Sequence, residues 1–209
     1  MEKLILLEKS EVNNILNTRD GETKFGEQIK LLSNVSNIYD AIKSLDVDYV
    51  IFGLPEDIGV FANLGNTGTH NAWNATIKVL LNIQSNHFTA ANRVLILGHL
   101  DFTEELVQLS KLKQSHKKHV QNARKLVTEI DKHVTDLVST IISTGKTPIA
   151  IGGGHNNAYG MIKGSSLGLK KPINAINFDA HTDFRALEGR HSGNGFSYAY
   201  NEGFLKKYF

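Results

Sequence analysis

The chain has 209 residues, with 41% apolar and 21% charged side chains, a composition that fits one soluble globular domain with room for a proper core. The net charge of +2 sets up no strong field, so composition points to neither a nucleic-acid nor a membrane partner. The absence of cysteine excludes disulfides, thiolate metal sites and cysteine nucleophiles, and it fits a reducing compartment.

At the N-terminus only four consecutive apolar residues, Leu4 to Leu7, stand between charges of both signs. That is too short for a secretory signal, and no stretch approaches a membrane span, so a cytoplasmic location is expected. Residues 1–47 are polar and mixed, with a turn at Asp20-Gly21 and short helical patterns over 10–16 and 38–45; they are read as an N-terminal extension packed on a main domain of residues 48–209. The run 48–54 (DYVIFGL), closed by Pro55, predicts a buried strand. A loop rich in Gly and Asn follows, then a helical pattern over 71–81 and a second strand over 93–97 (RVLIL). The clearest helix spans 115–144, where Val120, Ala123, Val127, Ile130, Val134, Leu137 and Ile141 recur at three and four residues. Gly145 is its predicted cap and Pro148 blocks its continuation. Strands over 148–151 and 173–178 follow, with a short helix from about residue 156 between them. Strands alternating with helices predict a mostly parallel sheet covered on both faces, with ligands outside the strands' carboxyl ends.

Two motifs fall at such ends: Gly152-Gly153-Gly154-His155 and Asp179-Ala180-His181-Thr182-Asp183. If the strand 173–178 stays extended, Asp179, His181 and Asp183 share one face. Two carboxylates and an imidazole there suit Mn²⁺, Zn²⁺ or another first-row divalent ion. The three glycines let the chain turn sharply and aim His155 across the strand ends. A phosphate-binding reading of the glycines lacks the Lys-Ser/Thr of a Walker motif and the dinucleotide spacing. Singly each residue has a bland alternative: a structural histidine, a turn-capping Asp179, an Asp183 paired with Arg185. His116 and His119, beside Lys117 and Lys118, read as a solvated helix start.

GGGHNNAYG and NFDAHTDFR resemble the metal-binding motifs of the arginase/agmatinase/formimidoylglutamase family, the ureohydrolases, and Gly53 to Val60 with Asn63 and Gly65 resembles that family's first strand and loop. The resemblance implies a three-layer α/β/α sandwich and hydrolysis of a non-peptide C–N bond in a linear amidine or guanidine. It also implies two Mn²⁺ ions sharing a hydroxide, with His155 and Asp183 on one, His181 on the other, and Asp179 bridging. His191 is then the candidate proton carrier, since an imidazole titrates near neutral pH. Ser192 and Asn194 are candidates for the substrate's polar tail. Arg185 or Arg190 either meets a substrate carboxylate as a bidentate pair or pairs with Asp183 or Glu188. Gly154 before His155, and Asp183-Phe184-Arg185 followed by His191-Ser192-Gly193, resemble the formimidoylglutamase branch, whose substrate N-formimidoyl-L-glutamate belongs to histidine breakdown; arginase, agmatinase or guanidino-acid hydrolase is the alternative. A small-molecule substrate and a homo-oligomer are expected.

The chain also departs from the family. Asn66 stands where an Arg is common, and His70-Asn71-Ala72-Trp73 replaces a typical Gly-Pro stretch. The family's later Asp-x-Asp pair and its late Glu have no counterpart after Asp183. The chain is therefore expected to be the N-terminal portion of a longer enzyme, truncated at the C-terminus, to bind metal weakly or singly and to be inactive alone. The alternative is a non-catalytic, ureohydrolase-like binding module.

Overall fold

A computed structural model describes all residues, Met1–Phe209. The elements in chain order are β1 (Leu4–Leu6), α1 (Lys9–Ile15), α2 (Phe25–Gln28), α3 (Ile38–Ser44), β2 (Tyr49–Gly53), α4 (Ile58–Ala62), α5 (Ala72–Leu80), β3 (Val94–Leu100), α6 (Thr103–Leu109), α7 (Lys117–Ser143), β4 (Thr147–Ile151), α8 (Asn157–Leu169), β5 (Ile173–Ala175), α9 (Gly195–Asn201) and β6 (Leu205–Tyr208). No helix is long and apolar enough to cross a membrane.

The main sheet has the order β1-β3-β2-β4. Strands β2, β3 and β4 run parallel, while β1 lies antiparallel to β3. This is an α/β fold, and its layering follows from the two-residue period of a strand. Val50, Phe52 and Leu54 point into one core with Leu95 and Leu97. Ile51 points to the opposite core, with Val94, Ile96 and Trp73. Helix α7 covers the first face, and all seven residues of its predicted stripe are buried. Helix α5 and the N-terminal segment cover the second.

Residues 1–47 reach the sheet in two places. One is β1, a strand too short and too polar in its surroundings to be read from sequence. The other is Lys30, whose amide donates to Val94 O at 2.8 Å while its carbonyl accepts from Ile96 N at 3.1 Å. Strand β3 also runs further than the predicted 93–97, passing through Gly98 at φ +126°. A Cβ at that point would lie 1.9 Å from the Ile5 carbonyl oxygen, so glycine there is what lets β1 dock.

Helices α7 and α8 lie unusually close. Gly160, Gly164 and Gly168, one turn apart on α8, face Val134, Val138 and Ile142, one turn apart on α7. A Cβ on each glycine would come within 2.7, 2.7 and 2.6 Å of these side chains. Small residues at four-residue spacing remove a ridge and let the backbones approach.

The predicted strand over 173–178 is corrected. Only Ile173–Ala175 is strand, and it pairs in parallel with β6 in a separate two-stranded sheet. Strand β5 is thus not β4's neighbour, and β4 ends the main sheet. The side chains just beyond β5 stand in the open: Ile176 is 82% exposed and Phe178 is fully so. A third, small core of Tyr159, Ile162, Phe196, Ala199 and Leu205 fastens this second sheet and α9 onto α8.

Candidate metal centre

His155 leaves β4 through a turn that only glycine makes comfortably. Gly152 and Gly153 have φ of +85° and +81°, and a Cβ on Gly153 would fall 2.5 Å from the Leu54 carbonyl oxygen. The turn is held from below by Glu56, a completely buried carboxylate. It accepts hydrogen bonds from the Ile58 amide at 2.9 Å, the Gly154 amide at 3.1 Å, and the Asn156 and Asn157 side-chain amides at 3.1 and 2.5 Å. Burial pushes the Glu56 carboxyl upward against these four donors. Glu56 was not singled out from sequence; the available signal was an acid directly after a buried strand and its Pro.

The second motif does not continue as a strand. Asp179 Oδ1 accepts from the His181 amide at 2.8 Å, an Asx-turn that bends the chain, and Asp183 sits at a left-handed φ of 45°. The alternation that would place Asp179, His181 and Asp183 on one face is therefore lost. His181 turns outward, its side chain 83% exposed, and keeps only a 3.4 Å approach to Asp179 Oδ1. Asp179 and Asp183 nevertheless converge on His155. The imidazole Nδ1 touches Asp183 Oδ2 in hydrogen-bonding contact and lies 3.4 Å from Asp179 Oδ2. One donor atom from each of the three residues falls within 4.8 Å of the others. The His181 amide, helped by the His155 and His181 imidazoles, holds the Asp179 carboxyl below the usual carboxylate range. Two carboxylates this close repel unless a cation lies among them, and one nitrogen with two hard oxygens is a fitting donor set for Mn²⁺ or Zn²⁺.

The trio opens into a polar cavity of about 550 Å³ lined also by Asn63, His181, Thr182, Arg185 and Ser192. Arg185 Nη1 donates to Asn63 Oδ1 at 2.6 Å, and Asn63 Nδ2 donates to Ser192 Oγ at 3.1 Å. Arg185 also reaches Glu188 at 3.1 Å. Of the substrate-contact candidates, Arg185 and Ser192 thus face the same space as the metal trio.

The other candidates are placed elsewhere. Arg190 is a correction: it is 4% exposed and pairs with Asp131 of α7, Nε to Oδ2 at 2.8 Å, turned away from the cavity. Asn194 is buried too, its Oδ1 accepting from Arg190 Nη1 at 2.6 Å and from the His191 amide at 3.0 Å. Its amide donates to the Gly189 carbonyl at 2.9 Å and to the Ala186 carbonyl at 3.1 Å, which braces the loop, and it is not among the residues that line the cavity. His191 is completely buried. Its Nδ1 accepts from the Gly193 amide at 3.1 Å, so Nε2 carries the proton and donates to Glu188 Oε1 at 3.1 Å. Burial, with Arg124 nearby, lowers this imidazole to about 4. A proton carrier titrating near neutral pH does not fit that environment. His70, in the stretch that departs from the family, places its Nδ1 2.6 Å from the buried Asp57.

The sequence pattern of the Arginase family matches residues 47–209. The formimidoylglutamase of Hahella chejuensis is 30% identical over 152 residues, 70% of this chain and 40% of that protein. That of Streptococcus gordonii is 29% identical over 165 residues, 77% of this chain and 44% of that protein. Among solved structures, formimidoylglutamase from Bacillus subtilis overlays with a TM-score of 0.63 at 15% identity, covering 90% of this chain and 51% of that one. Trypanosoma cruzi formiminoglutamase with Mn²⁺ overlays at 0.58 and 20% identity, covering 88% and 54%. The chain therefore spans about half the length of the proteins it matches. With most of its length matched by the family pattern, the chain belongs to the arginase family, the ureohydrolases.

Proposed function

We propose that this chain carries part of the active centre of a metal-dependent hydrolase that cleaves a formimidoyl C–N bond, with N-formimidoyl-L-glutamate as substrate. The observation that carries the reading is the convergence of His155, Asp179 and Asp183 within 4.8 Å. Residues 48–209 supply the site and residues 1–47 brace the sheet behind it. His155, Asp179 and Asp183 would hold a divalent ion, Mn²⁺ by analogy with the T. cruzi relative. A bound divalent ion supplies Lewis acidity and lowers the pKa of water at the amidine carbon. Arg185, held by Asn63 and Glu188 at the cavity wall, orients an anionic tail through its planar fork. Ser192 Oγ offers a polar contact beside it. Water adds to the amidine carbon, the C–N bond breaks, and the glutamate nitrogen leaves with a proton.

Only three donor groups converge, because His181 faces outward. The 209-residue chain is accordingly expected to bind one divalent ion weakly and to show no measurable turnover by itself. A non-catalytic binding module is the second reading, favoured by the outward His181 and the sealed His191. The test is a Mn²⁺ titration by electron paramagnetic resonance, with formamide release from N-formimidoyl-L-glutamate measured beside urea release from arginine and agmatine. These are run on this chain and on a version extended to the length of the relatives. Saturable Mn²⁺ binding lost on Asp183→Asn, with formamide release in the longer protein, supports the proposal. Mn²⁺ binding indifferent to Asp183→Asn would remove its basis. Metal binding without turnover in the longer protein would favour the module.

A further inference from the structure

Three of the four hydrogen bonds that Glu56 accepts come from residues on either side of His155. The Gly154 amide precedes the imidazole by one residue, and the Asn156 and Asn157 side-chain amides follow it by one and two. All three converge on Oε1, while Oε2 takes the Ile58 amide at the start of α4. The carboxylate therefore grips the chain before and after the one trio member that comes from the glycine turn. The same anchor reaches the other wall of the cavity. Helix α4 leads into Asn63, and its Gly59 carbonyl accepts from the Ser192 amide at 3.0 Å. Asn63 and Ser192 both line the cavity of the trio.

Asn156 joins this anchor to a second one. It is completely buried and fills the space that two glycines leave: a Cβ on Gly59 or Gly154 would lie 2.0 or 2.3 Å from its Oδ1. Its carbonyl accepts from Arg190 Nη2 at 2.9 Å, and Arg190 Nη1 donates to Asn194 Oδ1 at 2.6 Å, in the loop that carries Ser192. A turn that had only to close would not need a buried carboxylate, because a charge loses its hydration on burial. What the carboxylate adds is a group that accepts only, and so meets all four N–H donors at once. Glutamine has the same shape but turns its own NH2 toward at least one of them.

We propose that Glu56, acting with Asn156, is the positioning residue of the metal trio, fixing where the His155 imidazole stands relative to Asp179 and Asp183. Its effect on metal affinity rests on the metal reading of that trio; its hold on His155 does not. Neither Glu56 nor Asn156 supplies one of the three donor atoms that converge, so both act through the frame of the site. Groups of this kind behind a metal ligand change affinity roughly 10–100-fold when altered, because a coordination sphere tolerates little displacement.

The test compares Glu56→Gln and Asn156→Ala with Ile42→Ala, a completely buried position of α3 in the core under α7, which controls for lost stability. Each is titrated with Mn²⁺ by electron paramagnetic resonance and unfolded in urea. In the metal-free chains, imidazole nitrogen shifts report whether His155 Nδ1 keeps its hydrogen bond to Asp183. Asn156→Ala also deletes an Oδ1 that has no hydrogen-bond partner, so it keeps the fold and decides the matter even where Glu56→Gln does not. Both site variants are expected to lose Mn²⁺ affinity roughly 10–100-fold and to lose the His155 bond. Ile42→Ala is expected to change Mn²⁺ affinity by no more than about twofold and to keep that bond. Folded site variants with parental Mn²⁺ affinity and an intact His155 bond would overturn the proposal. So would an Ile42→Ala variant that loses as much affinity as they do. Mn²⁺ binding in the parent that ignores Asp183→Asn, with the His155 bond still lost on Glu56→Gln, would sink the metal reading alone and leave the hold of Glu56 on His155 standing.

Discussion

Arg190→Met is the perturbation whose size the structure constrains best. Arg190 and Asp131 are each about 5% exposed at the side chain and meet through two bonds, at 2.8 and 3.3 Å. Removing the guanidinium strands a carboxylate that burial already pushes up to about 6 against the pull of Arg190. Breaking a buried pair from one side costs about 3–5 kcal/mol, which for a chain of this size lowers the thermal midpoint by roughly 10 °C. Removing both charges, Asp131→Leu with Arg190→Met, is expected to restore stability to within about 1 kcal/mol of the parent. The other acceptors that Arg190 serves keep a donor each: Asn156 O retains the Tyr159 amide, Asn194 Oδ1 the His191 amide, and His191 O the Asn194 amide. The sign with pH follows from the raised carboxyl. Its unfolded value is the ordinary one near 3.8, so the group's contribution is full below that and fades as pH climbs through the folded value. Without Arg190 the folded value rises further, and the defect of the single variant is larger at pH 8 than at pH 5. Urea unfolding of parent, both singles and the double, at both pH values, completes the cycle. A single-variant cost below about 1 kcal/mol, or a double as destabilised as the two singles summed, would refute the reasoning.

The remaining predictions are more local. Asp179→Asn and Asp183→Asn are each expected to abolish Mn²⁺-dependent thermal stabilisation, whereas His181→Ala leaves Mn²⁺ affinity within about twofold; a large loss in the histidine variant would place His181 in the coordination sphere after all. His191 is expected to stay neutral, with its proton on Nε2, down to about pH 4, which imidazole nitrogen shifts report directly. Because its folded value lies below the ordinary 6.5, its contribution to stability is present above pH 6.5 and lost as pH falls toward 4. Titration near 6.5 would mean that the ring is solvated. Gly164→Ala is expected to cost about 1–3 kcal/mol despite alanine's better helix propensity, because the new methyl meets Val138 and the Thr135 carbonyl at 2.7 Å; denaturant midpoints check it.

Much of the central layer was legible because its residues advertise their surroundings. Strands β2 and β4 are near-continuous apolar runs, and the seven stripe residues of α7, all buried, recur at three and four residues. His155, Asp179 and Asp183 were legible as candidates, together with His181, because a glycine turn after a strand and an Asp-x-His-x-Asp motif occur close together in the chain. What sequence did not show lies partly in local turns and partly in contacts distant along the chain. Asp179 bends its own segment with a side-chain bond to the backbone, so a strand pattern that reads well through residue 178 stops at Ala175. For Arg190 the sequence offers a substrate carboxylate, Asp183 or Glu188 as partners, whereas its partner in the structure is Asp131, 59 residues earlier. His191 likewise owes its burial to loop 188–194 folding over it. The polarity of such a loop says nothing about which of its members face inward.

The glycine ladder between α7 and α8 has a consequence for how substitution data on this fold are interpreted. Helix α8 begins two residues after His155, so the helix spacing set by Gly160, Gly164 and Gly168 also fixes how far the imidazole stands from the two aspartates. A coordination sphere tolerates errors of only a few tenths of an ångström, less than one intruding methyl displaces a helix. In a saturation scan scored by metal occupancy, Val134, Val138 and Ile142 would therefore rank among the sensitive positions. They would look like members of the site although no ligand touches them. Scoring the same library by folded abundance separates the two classes, since a packing substitution lowers abundance along with occupancy, whereas a ligand substitution lowers occupancy alone.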